Sequence, residues 1–138
     1  MDEPMPQGEE PAPEDGGNPS PGPAYDLAER TARFGENIVT FAKRVPRNDV
    51  TTPLIRQIVR SGTSVGANYG EADDAVSKRD FRHRIGTSKK ESRETKYWLR
   101  MIVSAEPAMK PAARILWREA HELYLIFSAI FRRTDPDG

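Results

Sequence analysis

Behind its first two dozen residues the chain reads as four stretches in which apolar side chains recur every three or four positions. That is the period of a helix with one buried face. In the first, about 25–45, Leu27, Thr31, Phe34, Ile38, Phe41 and Val45 alternate by fours and threes. Pro46 then stops the helix, because its ring clashes with the preceding turn. The second, 52–76, opens with Thr52 as N-cap and Pro53 at the first helical position, and lines one face with Leu54, Ile58, Ser61, Val65, Asn68, Ala72 and Val76. Ser77 and Asp80 have the spacing of a capping box and start the third, 78–105. Its inward stripe is Phe81, Ile85, Ser88, Ser92, Thr95, Leu99 and Ile102, flanked by Tyr97 and Trp98, until Pro107 ends it. The fourth, 111–132, is expected to bury Ile115, Leu116, Leu123, Ile126, Phe127 and Ile130. Four helices of similar length with short connections predict an all-α, antiparallel up-down-up-down four-helix bundle over 25–134.

The second stretch breaks one local rule. Gly62, Gly66 and Gly70 fall at steps of four inside it, and each costs about 1 kcal/mol relative to alanine in a helix. Propensity alone argues for a loop, but the apolar period continues through the segment. It is therefore read as helix, with the glycines letting another backbone come close.

Composition changes the picture at the N-terminus. Residues 1–24 are Pro, Gly and acid with almost nothing apolar, too little to offset the entropy of ordering, and are expected to be a disordered tail. They also carry six acidic residues and no basic one. A formally neutral chain with 21 basic and 21 acidic residues thus has a folded part of charge +6. Such a split suits either an anionic partner or a tail that screens the domain or aids its solubility. The chain has no cysteine, which excludes disulfides, thiolate metal sites and cysteine nucleophiles and suits a reducing cytoplasm. Neither a signal-peptide pattern nor an apolar run of membrane-spanning length is present, so no membrane is expected.

Most of the positive charge sits on the third stretch. Residues 78–100 hold nine Lys or Arg against Asp80, Glu91 and Glu94. Arg82, Lys89, Arg93, Lys96 and Arg100 form one stripe about 27 Å long. Lys78 with Arg82, Lys89 with Arg93 and Lys96 with Arg100 are like charges four apart, each costing an isolated helix about 0.2–0.5 kcal/mol. Phosphates of RNA or DNA would offset that repulsion, making the five residues a candidate nucleic-acid surface. Carboxylates from a neighbouring helix or subunit, such as Glu29, Glu36, Glu119 or Glu122, would do the same. The stripe itself interleaves no aromatic except Tyr97 and Trp98 near its end, so base stacking has little support and binding would be mostly to backbone.

A polar set, Ser61, Ser64, Asn68 and Glu71 on the second stretch with Ser88, Glu91, Ser92, Glu94 and Thr95 on the third, falls at similar height in an antiparallel hairpin. A carboxylate–metal site inside a bundle needs Glu-x-x-His pairs, and His83 and His121 lack them. The favoured reading is a hydrogen-bonded network that fixes register or lines an oligomer interface. No serine sits in a nucleophile elbow, and the glycines lack the phosphate-loop spacing. The expectation is no catalytic residue, no cofactor and no metal.

The segment Arg60-Ser61-Gly62-Thr63-Ser64-Val65-Gly66-Ala67-Asn68-Tyr69-Gly70-Glu71-Ala72, followed by Lys90-Glu91, Glu94-Thr95 and Tyr97-Trp98-Leu99, resembles a known signature. It is that of the four-helix-bundle proteins first met in intervening sequences of bacterial 23S rRNA. The family usually has alanine where Gly62 stands and a larger residue at Gly70. The blocks lie between Leu54 and Ile102; the first and fourth helices match only in pattern, and the acidic tail lies outside the resemblance. It implies a ring-like homopentamer with no established enzymatic activity. It also implies a more distant similarity to the accessory variability proteins of diversity-generating retroelements, pentamers with a basic surface that bind nucleic acid and a reverse transcriptase. A protein-interaction adaptor, in which the same charges meet acidic protein surfaces, is the rival reading.

Overall fold

In the computed structural model, residues 23–135 are described, and the expected tail lies outside them up to residue 22. Four helices follow one another: α1 (Pro23–Arg44), α2 (Thr51–Asp73), α3 (Lys78–Ala105) and α4 (Lys110–Arg133), with a 3-10 turn at Pro107–Met109 before the last. Sequential helices pack side by side, α1 on α2, α2 on α3 and α3 on α4, and a looser α1–α4 edge closes an antiparallel bundle. Among the described residues there is no strand.

The first stripe is buried as its spacing requires: Leu27, Thr31, Phe34, Ile38, Phe41 and Val45 are each almost fully covered. They meet Ile55, Ile58, Val65 and Tyr69 of α2, Ile85, Leu99 and Ile102 of α3, and Leu116, Leu123 and Phe127 of α4 in one core. Tyr69 lies outside the predicted stripe, yet its ring packs 5.9 Å from that of Phe127. Burial and the charge of Asp73 raise the pKa of its hydroxyl.

The start of α2 is capped one turn earlier than the Thr52–Pro53 pair predicts. Asn48 Oδ1 accepts from the backbone N–H groups of Val50 and Thr51, each at 2.9 Å, while Asn48 N–H donates to Thr51 Oγ1 at 3.0 Å. Three N–H groups, those of Asn48, Val50 and Thr51, are thereby satisfied, and Pro53 becomes the third residue of the helix, still in the tolerant first turn. At the other end α2 stops at Asp73, so Val76 is not a core residue but is fully in solvent. Ser77 then caps α3 as expected, accepting from Asp80 N–H at 3.0 Å.

The glycine segment is helical throughout. A Cβ on Gly62 would stand 2.8 Å from Cγ1 and Cγ2 of Ile38, and one on Gly66 would stand 3.1 Å from Thr31 Oγ1, so both glycines let α1 and α2 approach closely. Gly70 does not share that role: nothing lies within 4 Å of its Cβ position. Along α4 the expected Ile115 is 49% exposed, and Ile126 and Ile130 are half-buried; Ala113 and Ala120 occupy the inner positions instead.

Candidate functional site

Helix α3 carries both groups of residues singled out by the sequence, and the structure sends them to different neighbours. On its α2 side the polar set divides into an inner and an outer layer. Inside, Ser88 donates to the backbone carbonyl of Val65 at 2.9 Å, and the Thr95 hydroxyl lies 2.9 Å from Ser61 Oγ and 2.8 Å from the carbonyl of Glu91. Ser92 bonds back to the carbonyl of Ser88. These hydroxyls are buried and have partners, as buried polar groups must.

Outside, Arg60 of α2 donates to both oxygens of Glu91 at 3.2 and 3.3 Å and to Glu94 Oε1 at 2.8 Å. The bond with Glu94, followed by the charge of Glu91, raises the Arg60 pKa against the opposing effect of desolvation. Glu91 is almost fully buried whereas Arg60 is half-exposed. Ser64 donates to the Arg60 carbonyl within its own helix, and Asn68 accepts from Arg84 at 3.1 Å. Glu71 is exposed and has no part in this arrangement.

On the α4 side the basic stripe meets rings rather than carboxylates. The Arg82 guanidinium carbon lies 3.7 Å from the centre of the Phe131 ring, and its Nε donates to the Phe131 carbonyl at 3.3 Å. Lys89 Nζ lies 5.3 Å from the Phe131 ring centre and 5.9 Å from that of Tyr124. Lys96 Nζ lies 5.1 Å from the Tyr124 ring centre and 4.8 Å from that of Trp117. Arg82, Lys89 and Lys96 are seven apart going up α3, and Phe131, Tyr124 and Trp117 are seven apart going down α4. Antiparallel packing of two helices matches those heptads rung for rung. Gly86 lets the lowest rung sit close, since a Cβ there would be 3.0 Å from Phe131 Cε1.

Lys96 also lies 2.9 Å from His121 Nδ1. An ammonium can only donate, so His121 accepts through Nδ1 and carries its proton on Nε2. Desolvation, helped by the charge of Arg93, lowers the Lys96 pKa, while Tyr124 pulls it the other way. The rings of Trp117 and His121 stack at 5.2 Å and 16°, and those of His121 and Tyr124 at 6.5 Å and 19°. Arg93 and Arg100 complete the stripe and are exposed.

The acids suggested as partners for this stripe go elsewhere. Glu119 forms a two-pronged pair with Arg30 of α1 at 2.7 and 2.8 Å, Glu122 approaches the same guanidinium at 4.0 Å, and Glu29 pairs with Arg33. Glu36 makes no ion pair among the described residues. Within that same range, Arg82, Lys89, Arg93, Lys96 and Arg100 make none either. The α3 stripe itself interleaves no aromatic except Tyr97 and Trp98 near its end, as the sequence shows; the rings beside it belong to α4. Only the shared heptad between residues 82–96 and 117–131 could have signalled them.

No three His, Asp or Glu side chains gather into a metal-binding group among the described residues. No helix of that range is long and apolar enough to cross a membrane. The molecule is thus an all-α bundle whose most developed surface is a seam of cations and aromatic rings. The chain belongs to the 23S rRNA-intervening sequence protein family, whose sequence profile matches residues 24–128. It is also similar to a crystal structure from Bacteroides thetaiotaomicron of a protein with unknown function from the S23 ribosomal protein family. The two share 28% identity over 76% of this chain and 97% of that one, with a TM-score of 0.70. No curated protein matches.

Proposed function

We propose that this chain is a non-enzymatic, self-associating bundle whose α3 surface binds the phosphate backbone of RNA or DNA. The observation that carries the reading is the absence of carboxylate partners for Arg82, Lys89, Arg93, Lys96 and Arg100 among the described residues, while the nearby acids on α4 are turned toward α1. Rings soften the repulsion along the stripe but leave its net charge in place, and phosphates neutralise such charge with release of counterions. Self-association, with the pentamer that the family resemblance implies, is supported by a shallow apolar groove between α1 and α2, lined by Ala28, Ala32, Gly35, Val39 and Ala67. Ile115 and Leu125 are exposed on α4 and supply apolar surface of a kind such a groove could cover.

Native mass spectrometry and salt-dependent retention on RNA test both halves. The expected result is a pentamer for which the logarithm of RNA affinity falls linearly with the logarithm of salt concentration. Changing Arg82, Lys89, Arg93 and Lys96 together to Gln should make that slope shallower by about 0.7 for each phosphate that is no longer neutralised. A monomer sinks the self-association. Affinity unchanged by the four substitutions sinks the nucleic-acid surface and favours the adaptor, whose partner would be an acidic protein.

A further inference from the structure

The proposed backbone surface is edged by rings, and their arrangement narrows the ligand. Trp117 is 40% exposed, and with His121 and Tyr124 it forms a run of three nearly parallel rings along one side of α4. Lys89 and Lys96 lie against the same rings, and Arg93 and Arg100 stand exposed one turn further along α3. We propose that the α3–α4 seam binds single-stranded nucleic acid, with unpaired bases stacking on Trp117 and Tyr124 while Lys89, Arg93, Lys96 and Arg100 hold the phosphates. The inference rests on the preceding reading and narrows it from any phosphate backbone to an unpaired strand.

Three features converge on that ligand. An exposed indole, that of Trp117, flanked by unneutralised cations is the surface that an unpaired strand fits, since every base has a face to stack and every linkage a charge to neutralise. A duplex offers the same charge, but its bases are already stacked on one another. The third feature is the Lys96 ammonium, held by two ring faces and an imidazole nitrogen instead of a carboxylate. A phosphate is the stronger partner for an ammonium on a flexible four-carbon stem. When Lys96 turns to a phosphate it uncovers ring surface that a base then occupies, so one movement serves both halves of a nucleotide.

The experiment compares the affinity of the full chain for a labelled oligouridylate of about 12 nucleotides with its affinity for a duplex of equal length at one salt concentration. The strand should bind at least about tenfold more tightly. Trp117→Ala and Tyr124→Ala should each weaken strand binding by about tenfold while leaving duplex binding and the salt slope unchanged, and Trp117→Phe should retain most of the affinity. Tryptophan emission of the wild-type chain should be quenched by saturating strand, and Trp117→Phe should lose that quenching; this readout holds even where an alanine variant unfolds. Equal affinity for strand and duplex, without quenching, overturns the stacking while leaving backbone binding intact. Binding to neither removes both readings. If Trp117→Ala changes the subunit count and leaves strand affinity alone, the ring belongs to an interface between copies and the proposal fails.

Discussion

The two long sides of α3 solve the same electrostatic problem in opposite ways. Toward α2, charge is neutralised in place: Glu91 is buried, Arg60 grips both of its oxygens, and Glu94 takes the remaining edge of the guanidinium. Toward α4, Arg82, Lys89 and Lys96 lie against Phe131, Tyr124 and Trp117, and no carboxylate pairs with them among the described residues. A ring face attracts a cation without cancelling its charge. The first side is therefore a closed, structural contact, and the second keeps its positive field available to an outside partner.

The largest expected effect falls on the closed side. Arg60→Ala leaves Glu91 buried without a counter-charge. Breaking a fully buried pair costs about 3–5 kcal/mol, and the half-exposed position of Arg60 reduces this to about 1–2 kcal/mol here. Arg82→Ala, on the open side, should cost less than about 1 kcal/mol. Urea unfolding of the two variants decides the matter, and equal losses would erase the proposed distinction between the sides.

The α1–α2 contact supplies a smaller effect of a different origin. Gly62→Ala gains about 1 kcal/mol of helix propensity but drives a methyl into Ile38, whose branched side chain has little freedom to withdraw. Overpacking of this kind costs about 1–3 kcal/mol, so the net expectation is a loss of about 1 kcal/mol. Ile38→Ala should then cost less in the Gly62→Ala background than in the wild type, because the two sites share one space. Gly70→Ala, with open space at its Cβ, should instead stabilise by about 0.5–1 kcal/mol. Thermal melts of the set measure all of these signs, and a stabilising Gly62→Ala would show that the helices part readily.

How much of this is legible in the sequence follows from the range of each signal. The α1 stripe, the Ser77 cap and the helical character of the glycine segment are set by periodicity and short-range hydrogen bonding, and each is readable from a few neighbouring residues. The exposure of Ile115 and the burial of Tyr69 depend on where one helix faces another, which a single-helix pattern fixes only to within a residue or two. Thr52 reads as the cap because Pro53 follows it, yet Asn48 lies where the chain leaves Pro46 and wins both N–H groups. Ser61, Glu91 and Glu94 fall at one height, as expected, because the α2–α3 connection is short. Arg60, which binds those glutamates, enters the sequence reading only as the first residue of a motif. The basic stripe is plain in the sequence and its aromatic partners are not, since a lysine's attraction to a ring has no local signature and the rings lie between 21 and 49 residues away.

The smallest effect sharpens the open side alone. Lys96 has a folded pKa below the ordinary lysine value of 10.5, chiefly through desolvation, and faces Arg93 on its own helix and Trp117, His121 and Tyr124 on α4. Between the lowered value and 10.5 the unfolded chain binds more protons than the folded one, so stability rises with pH across that window. The raised Tyr69 hydroxyl acts in the opposite sense: above pH 10.0 the unfolded chain releases its proton first and stability falls. Lys96→Met keeps the apolar stem and removes the charge, so the wild-type minus variant difference in unfolding free energy should climb through the alkaline window while the Tyr69 contribution cancels. A flat difference would mean that the Lys96 ammonium is fully hydrated and does not lie against the rings, and the open side would then lose its rung between Lys96 and Trp117.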